Sequence, residues 1–419
     1  MKDLYFEVLK EELIPALGCT EPIAIAYAAA KARELLGSEP DRIVAECSGN
    51  VIKNVKGVIV PMTGNMRGIE TSAILGAVAG NASKRLEVLS EVKTKHIEQT
   101  RVMLSEKICR VKLAENVENL FIKITVYKDM ESASVTIADD HINIVEMAKN
   151  EEIIYHKRDR QKAKLKDTDL SFMTVRGIYD YITGVDVSVF EALLEDQIQL
   201  NKKIAEEGLT NDYGANVGRT LIKRYGKQVE CLAKAYPSAG SDARMSGCVL
   251  PVIINSGSGN QGLAASLPVI VYAEELKVSK EKLYRALALS NLIAIYIKRQ
   301  IGRLSAFCGA VSAACGSGAG IAYLNSESFE VIAKTVVNTL ANTTGIICDG
   351  AKPSCAAKIA SAVDAAIMAY HLAEEGSTFN PGEGLVKEDV DSTIRGICRV
   401  AREGMKTTDL EILKTMIED

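Results

Sequence analysis

Tryptophan is absent from this 419-residue chain, and the sequence has only 7 phenylalanines and 4 histidines. An excess of basic residues is also missing, since the formal net charge at pH 7 is −4. Proteins that bind the phosphate backbone usually carry a strong basic excess, so we expect no nucleic-acid partner. The one basic run, HKRDRQKAKLK at 156–166, is typical of a solvated linker or an exposed helix face.

The first residues, MKDLYFEVLKEELIPALG, contain acidic side chains and no apolar core run. They therefore do not have the pattern of a secretory signal. The longest uncharged stretch, 304–325, consists mainly of Ala, Gly, Ser and Cys, which are too weakly apolar for a typical membrane span. It predicts a buried, tightly packed helix, and we expect a cytoplasmic protein without a membrane partner.

None of the 10 cysteines forms a CxxC pair. A zinc ribbon or a thioredoxin-like motif is therefore not supported, and the closely spaced cysteines of ferredoxins are missing as well. Because disulfides are rare in a reducing cytosol, these thiols are expected to be core residues, metal ligands or catalysts.

The pattern of apolar residues changes along the chain, and its length suggests two or three domains. Segments RIVAECS and KGVIVP have β-rich composition, and the alternation over 108–156 predicts an antiparallel meander. Helical spacing dominates afterwards, over 174–208, 212–236, 263–275, 279–301, 304–324, 327–343, 355–375 and 390–404. We predict an α+β protein, with a mixed α/β domain containing an antiparallel sheet at 1–160 and a larger all-helical domain at 161–419.

Two cysteine pairs share one spacing, Cys308-x6-Cys315 and Cys348-x6-Cys355. Spacing alone does not separate metal ligands from buried core thiols. Cys348 lies in the loop GIICDGAKPSC, and Cys355 is predicted in the first turn of the next helix, where backbone N–H groups and Lys352 favour thiolate. Cys308 begins the uncharged helix. Cys315, two turns later on the same face, stays an alternative.

Five segments together resemble the L-cysteine desulfidases, relatives of the bacterial iron–sulfur L-serine dehydratases. They are GCTEP (18–22), MTGNMRG (62–68), NSGSGNQG (255–262), FCGAVSAACGSGAG (307–320) and CDGAKPSC (348–355). The resemblance extends over nearly the whole chain. It implies a [4Fe–4S] cluster with one open iron, bound through the thiolates of Cys308, Cys348 and Cys355.

The same resemblance implies a lyase that converts L-cysteine to hydrogen sulfide, ammonia and pyruvate by β-elimination. An open iron would act as a Lewis acid toward the substrate thiolate, and a base would remove the Cα proton. Cys19 is the leading candidate for that base, because a predicted helix start lowers a thiol pKa. A fourth cluster ligand is its alternative role. Glu21 is the second candidate base, or a first-turn charge that complements the helix dipole.

The substrate is expected to be a small amino acid, bound through hydroxyl, amide and cationic groups. Arg67 would pair with a carboxylate, although a surface arginine beside a loop fits equally well. The glycine-rich segment could instead be a plain break between buried helices, and it lacks the Walker lysine of a nucleotide site. The candidate substrate-binding residues are Thr20, Asn65, Arg67, Ser256, Ser258, Asn260, Gln261 and Lys352.

Three other functions compete with this prediction. An iron–sulfur L-serine dehydratase would use the same cluster, but the Ser/His/Thr motif before proline that those enzymes carry is missing here. A pyridoxal enzyme would need a Schiff-base lysine and a clear α/β domain. A non-enzymatic iron–sulfur sensor would leave Cys19 without a role. A homodimer is expected only because most soluble oligomers are homo-oligomers.

Overall fold

The computed structural model describes residues 2–157, 172–325 and 328–418. Most of the basic run at 156–166 lies outside these residues. Within them the chain folds as an α+β protein, as predicted, with a sheet near the N-terminus and a larger helical part after it. The strands are β1 (Pro15–Leu17), β2 (Arg42–Cys47), β3 (Cys109–Leu113), β4 (Phe121–Lys128), β5 (Glu131–Ala138), β6 (Ile144–Lys149), β7 (Glu152–His156) and β8 (Pro251–Ile253).

Strands β2 to β7 form one six-stranded sheet in the order β3-β2-β4-β5-β6-β7. The predicted meander is confirmed for β4 to β7, which pair antiparallel with their chain neighbours. Along β4, Ile122, Ile124 and Val126 are buried on one face, as the period of two requires. Strand β3 differs, since it pairs parallel with β2 at the edge of the sheet.

The segment KGVIVP does not form the strand that its composition indicated. A helix, α3 (Gly49–Val55), follows β2 almost directly, and residues 56–61 form an irregular loop. Val51 and Val55 are buried four positions apart, which is the spacing of one helix face. A short apolar run cannot by itself distinguish a strand from a buried segment of another kind.

Helices α1 (Lys2–Glu12), α2 (Thr20–Leu36), α4 (Gly68–Ala79) and α5 (Thr94–Ser105) complete the N-terminal part. Helix α2 packs on the sheet and on α4, and most of its side chains are buried. The contact with α4 is very close, because a Cβ atom at Gly76 would lie 2.3 Å from the carbonyl oxygen of Ala26. The small residues of GCTEP and α2 thus hold the start of α2 deep inside the protein.

The helical part contains α6 (Val175–Gly184), α7 (Glu191–Thr210), α8 (Val217–Tyr225), α9 (Val229–Met245), α10 (Gly259–Glu275), α11 (Lys280–Ile301), α12 (Gly309–Asn325), α13 (Phe329–Thr343), α14 (Cys355–Glu374), α15 (Val390–Arg399) and α16 (Lys406–Ile417). The uncharged stretch forms α12, which is buried between α10, α11, α13 and α14. Over the described ranges, none of the helices is long and apolar enough to cross a membrane.

Several contacts cross the predicted division at residue 160. Strand β1 pairs antiparallel with β8, and α16 packs against α3. One continuous apolar core includes buried residues from both parts of the chain. The division into domains at 1–160 and 161–419 stays a prediction.

Candidate functional site

The first part of the site is the start of α2. Gly18 has φ 58°, and a Cβ atom there would lie 2.2 Å from Cγ of Pro61. Glycine is therefore needed for the tight turn that brings Cys19 to the N-cap position of α2. The Cys19 thiol donates a hydrogen bond to Oε2 of Glu21 at 3.0 Å. Both predicted catalytic residues are thus buried and in direct contact.

Three further side chains surround Glu21. Nδ2 of Asn54 donates to its Oε1 at 2.8 Å, and Oγ1 of Thr20 lies 3.2 Å from its Oε2. Nε2 of His141 lies 3.9 Å from Oε1. Burial alone would raise the pKa of Glu21, but His141, Cys19 and Asn54 together lower that pKa to about 2. Glu21 is therefore a carboxylate at neutral pH.

The pKa of the Cys19 thiol is raised well above its ordinary value, first by burial and then by the negative charge of Glu21. The nearby charge of Arg244 acts in the opposite direction but is the smaller influence. The lowered thiol pKa expected from a helix start is therefore not found, because burial outweighs the helix dipole. In this surrounding Cys19 is a protonated thiol.

His141 is a member of this cluster that the sequence did not reveal. It lies in the turn between β5 and β6 and is buried. The loop carrying Gly257 packs on its ring, since a Cβ atom at Gly257 would lie 3.0 Å from Cε1 of His141. An isolated histidine in a sequence carries no signal for such a contact, because it depends on residues far along the chain.

The glycine-rich segment 255–262 forms the opposite wall. Oγ1 of Thr20 donates to the carbonyl oxygen of Gly257 at 2.8 Å, which ties this segment to the start of α2. Ser258 caps α10, and its Oγ accepts from the backbone N–H of Gln261 at 3.5 Å. Oγ of Ser256 donates to Oδ1 of Asn255 at 2.8 Å.

Gly257, Gly259 and Gly262 have the Gly-x-Gly-x-x-Gly spacing of dinucleotide sites. The surrounding fold differs, however, because the preceding strand β8 pairs antiparallel with β1. A dinucleotide fingerprint needs a parallel βαβ unit at this point. The segment instead begins a buried helix of the helical part.

A second unpredicted residue, Arg244, lies near the end of α9. Its side chain is buried, and Nη1 donates to Oδ1 of Asn260 at 2.6 Å. Nη2 donates to the carbonyl oxygen of Gly18. The guanidinium packs against Gly259, where a Cβ atom would lie 2.4 Å from Cζ. Arg244 therefore links the glycine-rich segment to the residue before Cys19.

The three predicted ligand cysteines are brought together by the loops before α12 and α14. An antiparallel bridge between Phe307 and Ile347 places Cys308 beside Cys348. The amide of Cys348 donates to the carbonyl oxygen of Ala306 at 2.6 Å. Cys355 is the first residue of α14, as the sequence indicated.

Negative charge on Cys348 affects the pKa of the other two thiols. Burial, followed by the charge of Cys348, raises the pKa of Cys308 to about 12. Burial also raises the pKa of Cys355, and the charge of Cys348 adds to that rise. Negative charge at one of these sulfurs therefore opposes ionisation of the next, so several thiolates need a cation among them.

Cys19 lies next to this group. Cys355 and Ala351 pack against a small apolar cluster formed by Cys19, Val58 and Met245. Cys315 lies elsewhere, fully buried inside α12, and its pKa is raised by burial and by Cys398. The structure thus places Cys19, and not Cys315, beside the ligand cysteines.

The three thiols of Cys308, Cys348 and Cys355 are a donor set of the kind that iron–sulfur clusters use. Among the residues that the structure describes, no three His, Cys, Asp or Glu side chains are arranged around one ion position. The thiolates of an iron–sulfur cluster bind different iron atoms and do not need to meet at one point. Lys298 is buried in α11, and burial lowers its pKa whereas the charges of Cys348 and Cys308 raise it. Such a buried cation suits an anionic thiolate centre.

Helix α3 connects the two halves of the site through neighbouring residues. Nζ of Lys53 donates to the carbonyl oxygen of Cys348 at 3.2 Å, and Asn54 donates to Glu21. Nζ of Lys53 also forms an ion pair of 2.6 Å with Asp409 of α16. Two neighbouring residues of α3 thus contact the Cys348 loop and the Glu21 carboxylate.

Comparisons with known proteins identify the family of the chain. The sequence model of a family described as serine dehydratase alpha chain matches residues 83–414. The chain belongs to this family. It is also similar to proteins named UPF0597 along its whole length.

The UPF0597 protein of Lachnoclostridium phytofermentans is 51% identical over 411 residues, covering 98% of each chain. That of Desulfitobacterium hafniense is 51% identical and covers 99% of this chain and 96% of its own. A UPF0597 protein of Bacteroides fragilis is 41% identical, with coverages of 98% and 96%. The similarity therefore includes every segment of the site.

The remaining predicted residues of this serine dehydratase alpha chain family member lie outside the buried cluster around Glu21. Asn65 and Arg67 are exposed in the loop before α4, and the structure does not bring Arg67 into the buried cluster. Lys352 donates to the carbonyl oxygens of Asp349 and Gly350 at 3.1 and 3.2 Å. Its contacts hold the loop between Cys348 and Cys355 in shape.

Proposed function

We propose that this protein is an iron–sulfur lyase that converts L-cysteine and water to hydrogen sulfide, ammonia and pyruvate. The observation that carries the proposal is the position of Cys19, which is hydrogen-bonded to Glu21 and belongs to the small cluster against which Cys355 packs. A candidate base and a candidate cluster ligand are thus close to each other, as β-elimination requires. Membership of the serine dehydratase alpha chain family supports lyase chemistry of this kind.

Cys308, Cys348 and Cys355 are the residues proposed to hold a [4Fe–4S] cluster. When bound, such a cluster with one open iron supplies a Lewis acid for the sulfur that leaves the substrate. The loop amides and the buried Lys298 would offset the negative charge of the three thiolates. The chain itself would supply the base, the binding groups and the exclusion of water.

Cys19 is proposed to remove the Cα proton as a thiolate. Its buried thiol must therefore first pass its proton to the Glu21 carboxylate, with which it is hydrogen-bonded. The hydrogen bond from Cys19 to Glu21 fixes the direction of the sulfur. His141 and Asn54 keep Glu21 in place and ionised. The closeness of Cys19 to Cys355 also supports the other role, in which Cys19 is a fourth ligand that the substrate displaces.

The wall formed by the glycine-rich segment is proposed to bind the amino-acid part of the substrate. Gln261 packs against Gly309, next to Cys308, because a Cβ atom at Gly309 would lie 2.5 Å from its Cδ. Thr20, Ser256, Ser258 and Asn260 line the same region. Asn65, Arg67 and Lys352 remain proposals for its rim.

Atoms and electrons balance without an external oxidant. Loss of the Cα proton and of the Cβ–S bond gives aminoacrylate and sulfide. Aminoacrylate tautomerises to an imine, and water hydrolyses the imine to pyruvate and ammonia. A homodimeric assembly stays a prediction.

L-Serine dehydration is the second candidate function, because the matching family is described as serine dehydratase alpha chain. The same cysteines and the same base would serve it, with hydroxide leaving instead of sulfide. The two candidates therefore differ only in the leaving group. Assays with each substrate therefore distinguish the two functions, whereas a measurement of cluster content does not.

The test is an anaerobic reconstitution with iron and sulfide, followed by parallel assays with L-cysteine and L-serine. Equal amounts of sulfide and pyruvate from L-cysteine, lost in Cys348→Ala, would support the proposal. Pyruvate from L-serine alone would establish the dehydratase instead. Turnover of neither substrate by cluster-loaded protein would favour a sensor, and full activity without iron would exclude the cluster mechanism.

A further inference from the structure

The most unusual charged group near the site is the guanidinium of Arg244. Its side chain has a relative exposure of 2%. Its guanidinium donates to two neutral acceptors, the amide oxygen of Asn260 and the carbonyl oxygen of Gly18. Among the described residues, its Nε has no hydrogen-bond acceptor and no carboxylate lies within ion-pair distance.

A buried arginine normally has a carboxylate partner, because the desolvation of an unpaired charge is costly. Burial lowers the pKa of Arg244, whereas the nearby charges of Cys19, Glu21 and Cys355 raise it. Guanidinium groups keep their proton in proteins, so Arg244 stays charged. The protein therefore holds a preorganised cation with N–H groups free to bind an anion.

Gly259 and Asn260 accommodate the Arg244 guanidinium in its buried position. A Cβ atom at Gly259 would lie 2.4 Å from Cζ of Arg244, so that a larger residue at 259 would displace the guanidinium. Asn260 accepts from Nη1 and Gly18 accepts from Nη2, so Nε–H is the group left without an acceptor among the described residues. A planar fork of N–H groups matches a carboxylate bidentately.

We propose that Arg244 binds the α-carboxylate of the substrate, so that the site selects thiols that carry a carboxylate. This inference rests on the proposed function for the identity of the substrate. Arg244 donates to the carbonyl oxygen of Gly18, the residue before Cys19, and Cys355 packs on the cluster that contains Cys19. A small amino acid could therefore reach the guanidinium with its carboxylate and the predicted ligand cysteines with its sulfur. Arg67, the arginine singled out from the sequence, is exposed and lacks these contacts.

Two ligands of nearly equal size test the contribution of the carboxylate separately from that of the amine. 3-Mercaptopropionate has the thiol and the carboxylate but no amine, whereas cysteamine has the thiol and the amine but no carboxylate. Binding of each to the anaerobically reconstituted protein is measured by calorimetry. Arg244→Gln is expected to weaken 3-mercaptopropionate about 10- to 100-fold and cysteamine less than about 3-fold.

Because Arg244→Gln could disturb folding, Asn260→Asp provides a second variant of nearly identical shape. It gives the guanidinium an internal carboxylate, which would compete with the ligand. We expect an unchanged or higher melting temperature together with weaker binding of 3-mercaptopropionate, whereas the binding of cysteamine should not weaken. Arg219→Gln, at an exposed arginine paired with Asp212, is the matched control and should change neither affinity.

Equal weakening of both ligands, or of neither, in the two variants would overturn the role of Arg244. Failure of wild-type protein to bind 3-mercaptopropionate would overturn it as well. The outcome is independent of turnover, because binding of a carboxylate through Arg244 could be observed even if L-cysteine proved not to be the substrate. Iron content, measured in each variant, distinguishes loss of the cluster from loss of the carboxylate site.

Discussion

The thiol of Cys19 and the carboxylate of Glu21 form a buried hydrogen bond of 3.0 Å at the first turn of α2. Each residue changes the protonation of the other. The charge of Glu21 raises the pKa of Cys19, after the larger effect of burial, while the thiol helps to keep Glu21 ionised. The pair therefore acts as a unit, and removing either side chain should affect both catalysis and stability.

The first prediction concerns catalysis by this pair. Glu21→Gln should lower kcat for L-cysteine by roughly 10²- to 10⁴-fold, the usual contribution of a positioned acid or base. KM should change little, because Glu21 is proposed to act on Cys19 and not to bind the substrate carboxylate. Steady-state kinetics of reconstituted protein would measure both constants.

Glu34→Gln is a suitable control, since Glu34 lies on the same helix in an exposed ion pair with Lys31. It should leave both constants unchanged. A Glu21→Gln enzyme with wild-type kcat would show that the carboxylate has no part in the reaction.

The second prediction follows from the low pKa of Glu21, which is about 2 in the folded protein against an ordinary value of 4.5. A depressed carboxyl pKa stabilises the fold above the unfolded pKa, and that stabilisation is lost as pH falls toward the folded pKa. Between pH 6 and pH 3 the wild-type protein should lose roughly 2 kcal/mol more unfolding free energy than Glu21→Gln.

Urea unfolding at several pH values would measure this difference. The Glu34→Gln protein should show the wild-type dependence on pH. Parallel curves for wild type and Glu21→Gln would mean that Glu21 has an ordinary pKa in the folded state.

The third prediction separates ligand cysteines from core cysteines. Cys308→Ala, Cys348→Ala and Cys355→Ala should each fail to retain a full complement of iron and sulfide after reconstitution, because a cluster site loses one of three thiolates. Cys315→Ala should retain it, since Cys315 is buried inside α12 beside Cys398. Colorimetric iron and sulfide analysis would report the content.

Cys315→Ala is also a control for packing, because it removes a buried sulfur from the helix that Cys308 precedes. We expect it to cost about 1 kcal/mol of stability without loss of iron. Iron loss in Cys315→Ala together with retention in Cys308→Ala would reverse the two assignments.

The fourth prediction concerns the buried ion pair between Lys53 and Asp409. Lys53→Met should destabilise the protein by about 3 kcal/mol, because it leaves Asp409 without its cation and frees the carbonyl of Cys348. A double-mutant cycle with Asp409→Asn should give a coupling energy of about 1–3 kcal/mol.

The exposed pair of Lys31 and Glu34 provides the comparison, and its cycle should give less than about 0.5 kcal/mol. Denaturant unfolding would supply all four free energies of each cycle. Equal coupling in the two pairs would show that burial of Lys53 adds nothing to the interaction.

Much of the local structure could be predicted because its signals are local. The β4–β7 meander follows from alternation, and the positions of Cys308 and Cys355 at helix starts follow from small residues and a nearby proline. The segment KGVIVP and helix α16 were not predicted correctly. Both depend on packing between distant parts of the chain, which short apolar patterns do not encode.

The candidate site shows the same limit. Cys19, Glu21 and the glycine-rich segment were found because each lies in a distinctive motif. Arg244 was missed because its partner Gly18 is 226 positions away, and an arginine in a helix carries no sign of burial. His141 was missed for a similar reason, since its neighbours Glu21 and Gly257 lie on separate elements.

The placement of Asp409 has a consequence for biosynthesis. This residue accepts from Nζ of Lys53, 356 positions earlier in the chain, and from the backbone amide of Ala306 at 2.9 Å. The ribosome must therefore complete at least residues 53–409 before the loop before α12 and the carbonyl of Cys348 acquire their final anchor. If Cys308, Cys348 and Cys355 hold a cluster as proposed, the loops that carry them would reach their final positions only after the segment containing Asp409 has been synthesised.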